Sequence, residues 1–401
     1  DLLTGGEGND TIKGGEGVDT VVYSGSVLDY NFQHYGKMIK VTDTVSGRDG
    51  VDKLYDFEQL VFAEGTFTWL RGHNAGDTLV AQNGVNTLLA GLHGEDKLQG
   101  GTGDDVLIGD NGVNFHYQGG NDELDGGAGN DILIGGAGND VIRGGEGVDT
   151  VVYSGSVLDY NFQHYGKMIK VTDTVSGRDG VDNLYDFEQL VFAEGTFTWQ
   201  RGHNAGDNMV AQDGVNTLLA GLHGEDTLQG GSGDDVLIGD NGVNFHYQGG
   251  NDELDGGAGN DILVGGGGND VIQGGEGTDT AVYSGSVLDY RFGDQTGFTE
   301  VVDDVAGRDG FDKVSDVEQL TFEEGTFTWM RGHNAGDTMV AEDGVDTLLV
   351  GFHGNDTLTG GTGDDVLFGD HGVNVTWQPG NDVLDGGAGN DILVGGAGND
   401  T

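Results

Sequence analysis

Apolar residues alternate with short glycine-rich groups along much of the chain. The stretch 126–150, GGAGNDILIGGAGNDVIRGGEGVDT, repeats six turn-forming residues followed by three residues with an apolar one at the centre. Glycine at three of the first four positions favours tight turns, because glycine accepts positive φ angles. The next three residues alternate as a short strand does and predict a buried Leu133. No segment has a convincing helical period. The pattern therefore predicts a nine-residue unit of turn and strand.

Two such units make one coil of 18 residues, and coils of this kind stack as parallel strands about 4.8 Å apart. Aspartates 18 residues apart then lie above one another. The pairs expected from this spacing are Asp122 with Asp140, Asp131 with Asp149, Asp252 with Asp270, and Asp261 with Asp279.

Stacked carboxylates repel one another, and opened turns leave carbonyl oxygens unpaired. A hard divalent cation between the turns resolves both problems, and a flexible set of about six oxygen ligands favours Ca²⁺. Mg²⁺ demands stricter octahedral geometry, and Zn²⁺ prefers cysteine or histidine ligands. The loops therefore predict several calcium sites.

A longer repeat contains the short one. GGEGVDTVVYSGSVLDYNF begins at Gly14 and at Gly144, and a close variant begins at Gly274, so the offset is 130 residues. We expect three tandem copies of about 130 residues and the start of a fourth, taken from a longer array. In each copy, the alternation in VLDYNFQH and KMIKVTD predicts an antiparallel hairpin, joined near 165–166 in the second copy. The apolar residues expected in the core beside that hairpin are Leu184, Phe187, Leu190 and Phe192.

Composition limits the classes of function. The 401 residues include 82 Gly, 1 Pro and no Cys, and the formal net charge is −53. Nucleic acid is not an expected partner, because the chain has no basic patch to release counterions. Membrane insertion is not expected, since no apolar run is long enough to span a bilayer. Without cysteine there are no disulfides, and the charge opposes a compact state unless cations neutralise it.

The nonapeptide G-G-x-G-x-D-x-U-x, where U is a large apolar residue, resembles the repeats-in-toxin family. Its close matches begin at Gly5, Gly14, Gly100, Gly126, Gly135, Gly144, Gly230, Gly256, Gly265, Gly274, Gly360 and Gly386. The resemblance implies an all-β fold, in which blocks of a calcium-bound, right-handed parallel β-roll (a β-solenoid) are interrupted by antiparallel β-hairpin elements. It also implies type I secretion of the unfolded chain and folding outside the cell as calcium binds.

The predicted division alternates β-roll blocks with antiparallel inserts. Its boundaries are 1–22 for the end of one block, 23–72 for the first insert, 73–152 for block one, 153–202 for the second insert, 203–282 for block two, 283–332 for the third insert and 333–401 for block three.

The loop aspartates are the expected calcium ligands, with affinities on the order of 10⁻⁴–10⁻³ M for an extracellular module. They are Asp10, Asp19, Asp96, Asp105, Asp122, Asp131, Asp140, Asp149, Asp226, Asp235, Asp252, Asp261, Asp270, Asp279, Asp356, Asp365, Asp382, Asp391 and Asp400. Weaker turns are expected where asparagine replaces the loop aspartate, at Asn86, Asn114, Asn216, Asn244 and Asn374. Loops without the double glycine lie at Asp77, Asp207 and Asp337.

Other residue types indicate no catalytic centre. The histidines, such as His73 and His116, form no H-E-x-x-H zinc motif. YSGS at 23–26 lacks the G-x-S-x-G elbow of a nucleophilic serine, and acid pairs such as Asp56 and Glu58 are ordinary in so acidic a chain. We therefore predict that the chain is not an enzyme.

The tryptophans of GTFTW allow two interpretations. Trp69, Trp199 and Trp329 either cover the end of a core, or stack on sugars or on a neighbouring chain. The near-identity of the first two copies favours a spacer or fibre module in a large extracellular bacterial surface protein, adhesin or filament. The alternatives are a module that binds cell-surface glycans or a partner through its inserts, and the non-catalytic tail of a secreted enzyme. The expected partners are calcium ions, together with either neighbouring copies of the chain or cell-surface glycans.

Overall fold

The computed structural model describes residues 1–73, 75–110, 119–203, 205–240, 249–333, 335–370 and 380–401. The chain forms two compact units, Asp1–Trp199 and Gln200–Thr401. Both consist of short strands, with single 3₁₀ turns at Val27–Asp29, Val157–Asp159 and Val287–Asp289. None of the helices within the described ranges is long and apolar enough to cross a membrane. The predicted all-β fold is confirmed.

The strands from the first residue to the boundary between the units are short. They are β1 Leu2–Leu3, β2 Thr11–Lys13, β3 Thr20–Val22, β4 Tyr30–Tyr35, β5 Met38–Asp43, β6 Val51–Tyr55, β7 Gln59–Phe62, β8 Gly65–Arg71, β9 Thr78–Val80, β10 Thr87–Leu92, β11 Lys97–Thr102, β12 Val106–Asp110, β13 Glu123–Ala128, β14 Ile132–Ile134, β15 Val141–Glu146, β16 Thr150–Val152, β17 Tyr160–Tyr165, β18 Met168–Asp173, β19 Val181–Tyr185, β20 Gln189–Phe192 and β21 Gly195–Arg201.

The second unit has strands of the same kind. They are β22 Asn208–Val210, β23 Thr217–Leu222, β24 Thr227–Gly231, β25 Val236–Asp240, β26 Glu253–Ala258, β27 Ile262–Val264, β28 Val271–Glu276, β29 Thr280–Val282, β30 Tyr290–Gln295, β31 Phe298–Asp303, β32 Phe311–Ser315, β33 Gln319–Phe322, β34 Gly325–Arg331, β35 Thr338–Val340, β36 Thr347–Val350, β37 Thr357–Gly361, β38 Val366–Phe368, β39 Val383–Gly387 and β40 Ile392–Val394.

Successive strands of the glycine-rich parts alternate between two layers, as a β-roll requires. In the first unit, one layer runs in parallel through β8, β10, β12, β14, β16 and β20, and the other runs in parallel through β9, β11, β13, β15 and β19. In the second unit, β23, β25, β27, β29 and β33 form one such layer, and β22, β24, β26, β28 and β32 form the other. The predicted coils of turn and strand are therefore observed.

The core lies between the two layers and is built from one central side chain per strand. Leu107 pairs with Leu133, which pairs with Val151, and all three are fully buried. Leu98 and Leu124 form the corresponding column in the other layer. Burying one such side chain contributes about 1.5–3 kcal/mol. Burial of Leu133, predicted from its central position in a three-residue strand, is confirmed.

Each insert contains the predicted antiparallel hairpin, formed in the second copy by β17 and β18, which meet at Tyr165 and Met168. The strands after the hairpin rejoin the roll, since Leu184 pairs in parallel with Ile142 and Leu190 pairs in parallel with Val151. The insert therefore continues the stack of coils and projects only its hairpin. Of its predicted core residues, Leu184, Leu190 and Phe192 are buried, and Phe187 is half-buried.

An arginine fixes the loop that follows the hairpin. Arg178 donates hydrogen bonds to Asp159 at 2.7 Å and to Asp173 at 2.6 Å, and its guanidinium carbon lies 5.0 Å from the centre of the Tyr160 ring. The Tyr160 hydroxyl donates to the buried carboxylate of Asp179. Because these groups satisfy one another's hydrogen bonds, we assign them a structural role in fixing this loop of the insert.

Candidate calcium-binding turns

The loop aspartates of each unit lie in two columns, one at each turn of the coil. Column 1 precedes the strands of the layer that contains β14 or β27, and column 2 precedes the strands of the other layer. The predicted residues in column 1 are Asp19, Asp105, Asp131, Asp149, Asp235, Asp261, Asp279, Asp365 and Asp391. Those in column 2 are Asp10, Asp96, Asp122, Asp140, Asp226, Asp252, Asp270, Asp356, Asp382 and Asp400.

Backbone hydrogen bonds join each aspartate to the next one in its column. The Asp122 N–H donates to Oδ1 of Asp140 at 2.7 Å, and the Asp131 N–H donates to Oδ1 of Asp149 at 2.9 Å, each across 18 residues. The Asp105 N–H donates to Oδ1 of Asp131 across 26 residues, because that coil has eight extra residues. Stacking of the predicted pairs is thus observed, and it fixes one oxygen of each carboxylate.

The second oxygen of these carboxylates has no partner. Oδ2 is buried without a hydrogen bond in every predicted aspartate except the last two, Asp391 and Asp400. An ionised carboxylate is costly to bury unless it is paired or coordinates a metal. The unpaired oxygens therefore mark positions where a cation fits.

Except at Asp19, each unpaired Oδ2 of the predicted aspartates faces a gap that a glycine leaves open. A methyl group built on Gly126 would stand 2.4 Å from Oδ2 of Asp131 and 2.7 Å from the carbonyl oxygen of Gly144 in the next coil. A methyl group on Gly109 would stand 2.2 Å from Oδ2 of Asp122 and 2.5 Å from the Gly135 carbonyl oxygen. The missing side chain leaves a space lined by carboxylate and carbonyl oxygens, which is the hard-oxygen set that Ca²⁺ prefers.

Side-chain carboxylates alone do not complete such a site. In the part of the chain that the structure describes, no three His, Cys, Asp or Glu side chains form a metal-binding group. The carbonyl oxygens of the glycine turns are the other donors at the gaps beside Gly109 and Gly126.

Burial also raises the pKa of these carboxyls. Loss of hydration raises the pKa of Asp131 to about 7 and that of Asp140 to about 8, with smaller contributions from neighbouring carboxylates. The pKa of Asp96 rises to about 6 for the same reason. The metal-free turn therefore holds negative charge poorly, and a bound cation would reverse that preference.

In metal-stripped buffer, we expect the folded coils to become more stable as the pH falls. The folded chain keeps protons on Asp131 and Asp140 up to about pH 7 and 8, whereas the unfolded chain releases them near pH 4. The ionisation penalty is thus absent below about pH 4 and complete above about pH 8. Far-UV circular dichroism from pH 8.5 to 5 should show β-structure increasing toward acid. A loss of β-structure toward acid would contradict this account of the buried carboxyls.

The sequence interpretation missed carboxylates of the inserts that extend both columns. Each carboxylate in a column is called a rung below. The Asp140 N–H donates to Oδ1 of Asp182 at 2.8 Å, and the Asp149 N–H donates to Oε2 of Glu188 at 2.9 Å. Asp182 is 2% exposed. The available signal was the spacing of acid, any residue and leucine, in D-N-L at 182–184 and E-Q-L at 188–190. Asp52, Glu58, Asp312 and Glu318 hold the same places.

The assignment of Asn86 and Asn216 to the loop-aspartate position was wrong. The N–H that donates to Oδ1 of Asp105, at 2.7 Å, belongs to Thr87, and Thr217 is the corresponding donor in the second copy. Asn86 lies one residue earlier in the turn. Threonine offers no carboxylate, so column 1 begins one coil later in each block. Asn114, Asn244 and Asn374 lie outside the described residues.

A further carboxylate that was not predicted lies beside column 2. Asp110 ends β12 at the position of the second glycine of the motif and is 4% exposed. Its Oδ1 has no hydrogen-bond partner, as is also true of Asp240 and Asp370. Burial, together with Asp122 and Asp140 nearby, raises the pKa of Asp110 to about 9. The replacement of Gly-Gly by Gly-Asp at 109–110 was the only sequence signal.

Trp69, Trp199 and His73 have structural explanations, and His116 lies outside the described residues. The Trp69 ring lies 5.3 Å from that of Phe32 and 6.0 Å from that of Phe57, and Trp199 packs in the same way in the second insert. His73 is exposed, with Nδ1 3.5 Å from Oδ1 of Asp77. Asp77 Oδ2 also accepts the His73 N–H at 2.6 Å. Asp77 therefore differs from the predicted loop aspartates whose Oδ2 has no partner.

The match to a known family agrees with this geometry. The family model of the RTX calcium-binding nonapeptide repeat matches just over half of the chain, at 1–25, 91–115, 116–151, 213–245, 246–281, 350–376 and 378–401. No curated protein matches significantly. The crystal structure of the extracellular lipase LipA from Serratia marcescens matches with 20% identity and a TM-score of 0.25, over 62% of this chain and 40% of that chain. The present chain thus spans less than half the length of that lipase.

The matched repeats bind calcium, and they recur in several parts of the chain. The gaps beside Gly109 and Gly126 supply the oxygen donors that such binding requires. The chain belongs to the family of RTX calcium-binding nonapeptide repeat proteins.

Proposed function

We propose that the chain is a calcium-dependent spacer or fibre segment of a large extracellular bacterial surface protein, adhesin or filament. The observation that carries this proposal is the unpaired, buried Oδ2 of the interior rungs in both columns. One cation in each gap between coils would pair that oxygen and the glycine carbonyl of the next coil. Calcium would then hold each coil to its neighbour, which is a mechanical role.

The proposed ligands are the predicted loop aspartates of columns 1 and 2. We add the insert carboxylates Asp52, Glu58, Asp182, Glu188, Asp312 and Glu318, because each accepts the N–H of the preceding rung. With these residues the columns continue through the inserts. A load could then pass from one block to the next within each unit.

Folding outside the cell follows from the same energetics. The net charge of −53 opposes compaction, and the buried carboxylates oppose it further while they lack cations. Metal-binding free energy becomes folding free energy when the site does not exist in the unfolded chain. We therefore propose that the chain stays unfolded during export and folds at the cell surface, where calcium is abundant.

Stretching a single molecule between its two ends tests the mechanical role. With a few millimolar calcium, a concentration above the affinity range of about 10⁻⁴–10⁻³ M, we expect the chain to resist extension and then to unfold in discrete steps. In excess chelator it should extend smoothly at low force, as a flexible chain does. Equal resistance in both conditions would remove the basis for a calcium-dependent spacer.

Packing of the aromatic residues favours this role over glycan binding in the first two inserts. Trp69 is covered by Phe32 and Phe57, and Trp199 is covered by Phe162 and Phe187. A ring held between two others offers little face to a ligand. In the third insert, Val317 replaces the second of these phenylalanines.

A further inference from the structure

The third insert contains a cavity of about 460 Å³ between its hairpin and the strand that carries Trp329. The lining includes Thr299, Ser315, Val317, Trp329 and Arg331. Small-molecule sites in proteins usually measure about 300–1,000 Å³ and combine an apolar wall with a few polar groups. This cavity has that size and that mixture.

Beside Gly297, which replaces a lysine, four substitutions relative to the other copies reduce the side chains that line this space. Ile39, Leu54, Tyr55 and Phe57 of the first copy have identical counterparts in the second copy, 130 residues later. In the third copy the corresponding lining residues are Thr299, Val314, Ser315 and Val317. All four changes remove volume, and two of them replace an apolar or aromatic group with a hydroxyl.

Two of the substituted positions pair between the second strand of the hairpin and the strand that follows it. Ile39 pairs with Leu54 in the first copy, and Thr299 pairs with Val314 in the third. In the first two copies a phenylalanine packs with its ring 6.0 Å from the tryptophan ring. Its replacement by Val317 leaves Trp329 packed on Phe292, at 5.2 Å, and lining the cavity.

Polar groups stand around the tryptophan wall. An Arg331 N–H donates to Oγ1 of Thr299 at 2.9 Å, and the guanidinium lies 3.5 Å from Oδ1 of Asp294. Ser315 adds a hydroxyl-bearing side chain to the lining. These groups offer donors and acceptors in several directions around one aromatic ring.

We propose that this cavity of the third insert binds a sugar ring. A pyranose has an apolar face that can stack on an indole ring, and its hydroxyls require both donors and acceptors at the rim. The pairing of Arg331 with Asp294 balances the charge at the rim, which suits a neutral sugar better than a strongly charged ion. The volume admits a single ring or the end of a short chain. This activity goes beyond the spacer role, which needs no ligand.

The test uses the whole chain in saturating calcium and three probes, the methyl α-D-pyranosides of glucose, galactose and mannose. Saturation-transfer-difference NMR should show transfer to the ring protons of at least one of them. The matched variant S315Y/V317F restores the residues of the first two copies and refills the cavity. It should keep the calcium-dependent circular dichroism and lower the transfer at least fivefold.

A second variant guards against misfolding. If S315Y/V317F loses its β-structure, W329F serves instead, because phenylalanine retains packing on Phe292 while offering a smaller face. It should lower the transfer at least threefold. No transfer from the native chain to any of the three sugars would overturn the proposal, as would equal transfer in the folded variant. Cyclohexanol is included as a control for a ring with a single hydroxyl. Saturation transfer to cyclohexanol alone would overturn the assignment to a sugar. None of these outcomes alters the calcium account, which circular dichroism reports separately.

Discussion

Replacement of Asp140 with asparagine is expected to have opposite effects in the presence and absence of calcium. Asp140 is fully buried, and its Oδ1 accepts the Asp122 N–H at 2.7 Å. Asparagine has nearly the same shape and keeps an acceptor oxygen, so the ladder bond survives. The variant removes the negative charge and the oxygen that we assign to calcium.

Without calcium at pH 8.5, Asp140→Asn should stabilise the coils by about 2 kcal/mol or more, because an uncompensated buried charge is removed. The pKa of Asp140, raised by burial to about 8, makes that pH suitable. With calcium, the midpoint concentration for folding should rise about tenfold, because ligand charge sets the affinity of such sites. The pH midpoint at which β-structure forms in chelator measures the first effect and should lie higher in the variant. Calcium titration followed by circular dichroism measures the second effect.

Asp213→Asn is the matched control. Asp213 is exposed in a turn, and the first copy already carries Asn83 at the corresponding position. The same chemical change should leave both measurements within about 0.5 kcal/mol of the native chain. If Asp140→Asn shifts stability in the same direction with and without calcium, its carboxylate is not a calcium ligand.

Alanine at Gly145 is expected to cost about 3–5 kcal/mol even in saturating calcium, since strain and overpacking add. Gly145 has φ +124°, and a methyl group there would stand 2.0 Å from the carbonyl oxygen of Gly127 in the preceding coil. That contact is with backbone, so no side chain can move aside. Close stacking of the coils therefore requires glycine at this position.

Gly166→Ala separates the clash from the backbone conformation. Gly166, at the hairpin turn, has φ +68°, and a methyl group there would meet nothing within 4 Å. We expect a cost of about 1–2 kcal/mol, the usual penalty for a left-handed conformation. Urea unfolding of both variants in calcium gives the comparison. Equal costs would show that the coils do not approach one another as closely as the structure indicates.

The sequence predicted those parts of the fold that repeat every nine residues. Glycine at the turns and an apolar residue such as Leu133 at each strand centre are needed in every coil, so they recur every nine residues. The stacking of Asp122 on Asp140 follows from the same count. The antiparallel hairpin was also predictable, because alternation in 160–173 differs from the nine-residue pattern.

Contacts between residues on either side of an insert hairpin were not predictable from the nine-residue period. Asp182 reaches Asp140 across 42 residues, and no glycine pair precedes it. Its rung follows from the pairing of Leu184 with Ile142, which is a tertiary contact. Asn86 was misassigned by one residue, because the block begins with an irregular turn. The cavity beside Trp329 depends on side-chain volumes that become informative only when the copies are superposed in space.

The role of the aspartate columns is tested most directly by folding the metal-stripped chain with calcium. Far-UV circular dichroism and small-angle scattering would be recorded in excess chelator and again with a few millimolar Ca²⁺, with Mg²⁺ at the same concentration as the control. We predict an expanded chain with little β-structure in chelator and in Mg²⁺, and cooperative conversion to the β-rich fold in Ca²⁺. A chain that is equally compact and equally β-rich in chelator would show that its core and inserts suffice for folding, and would contradict the calcium-driven account.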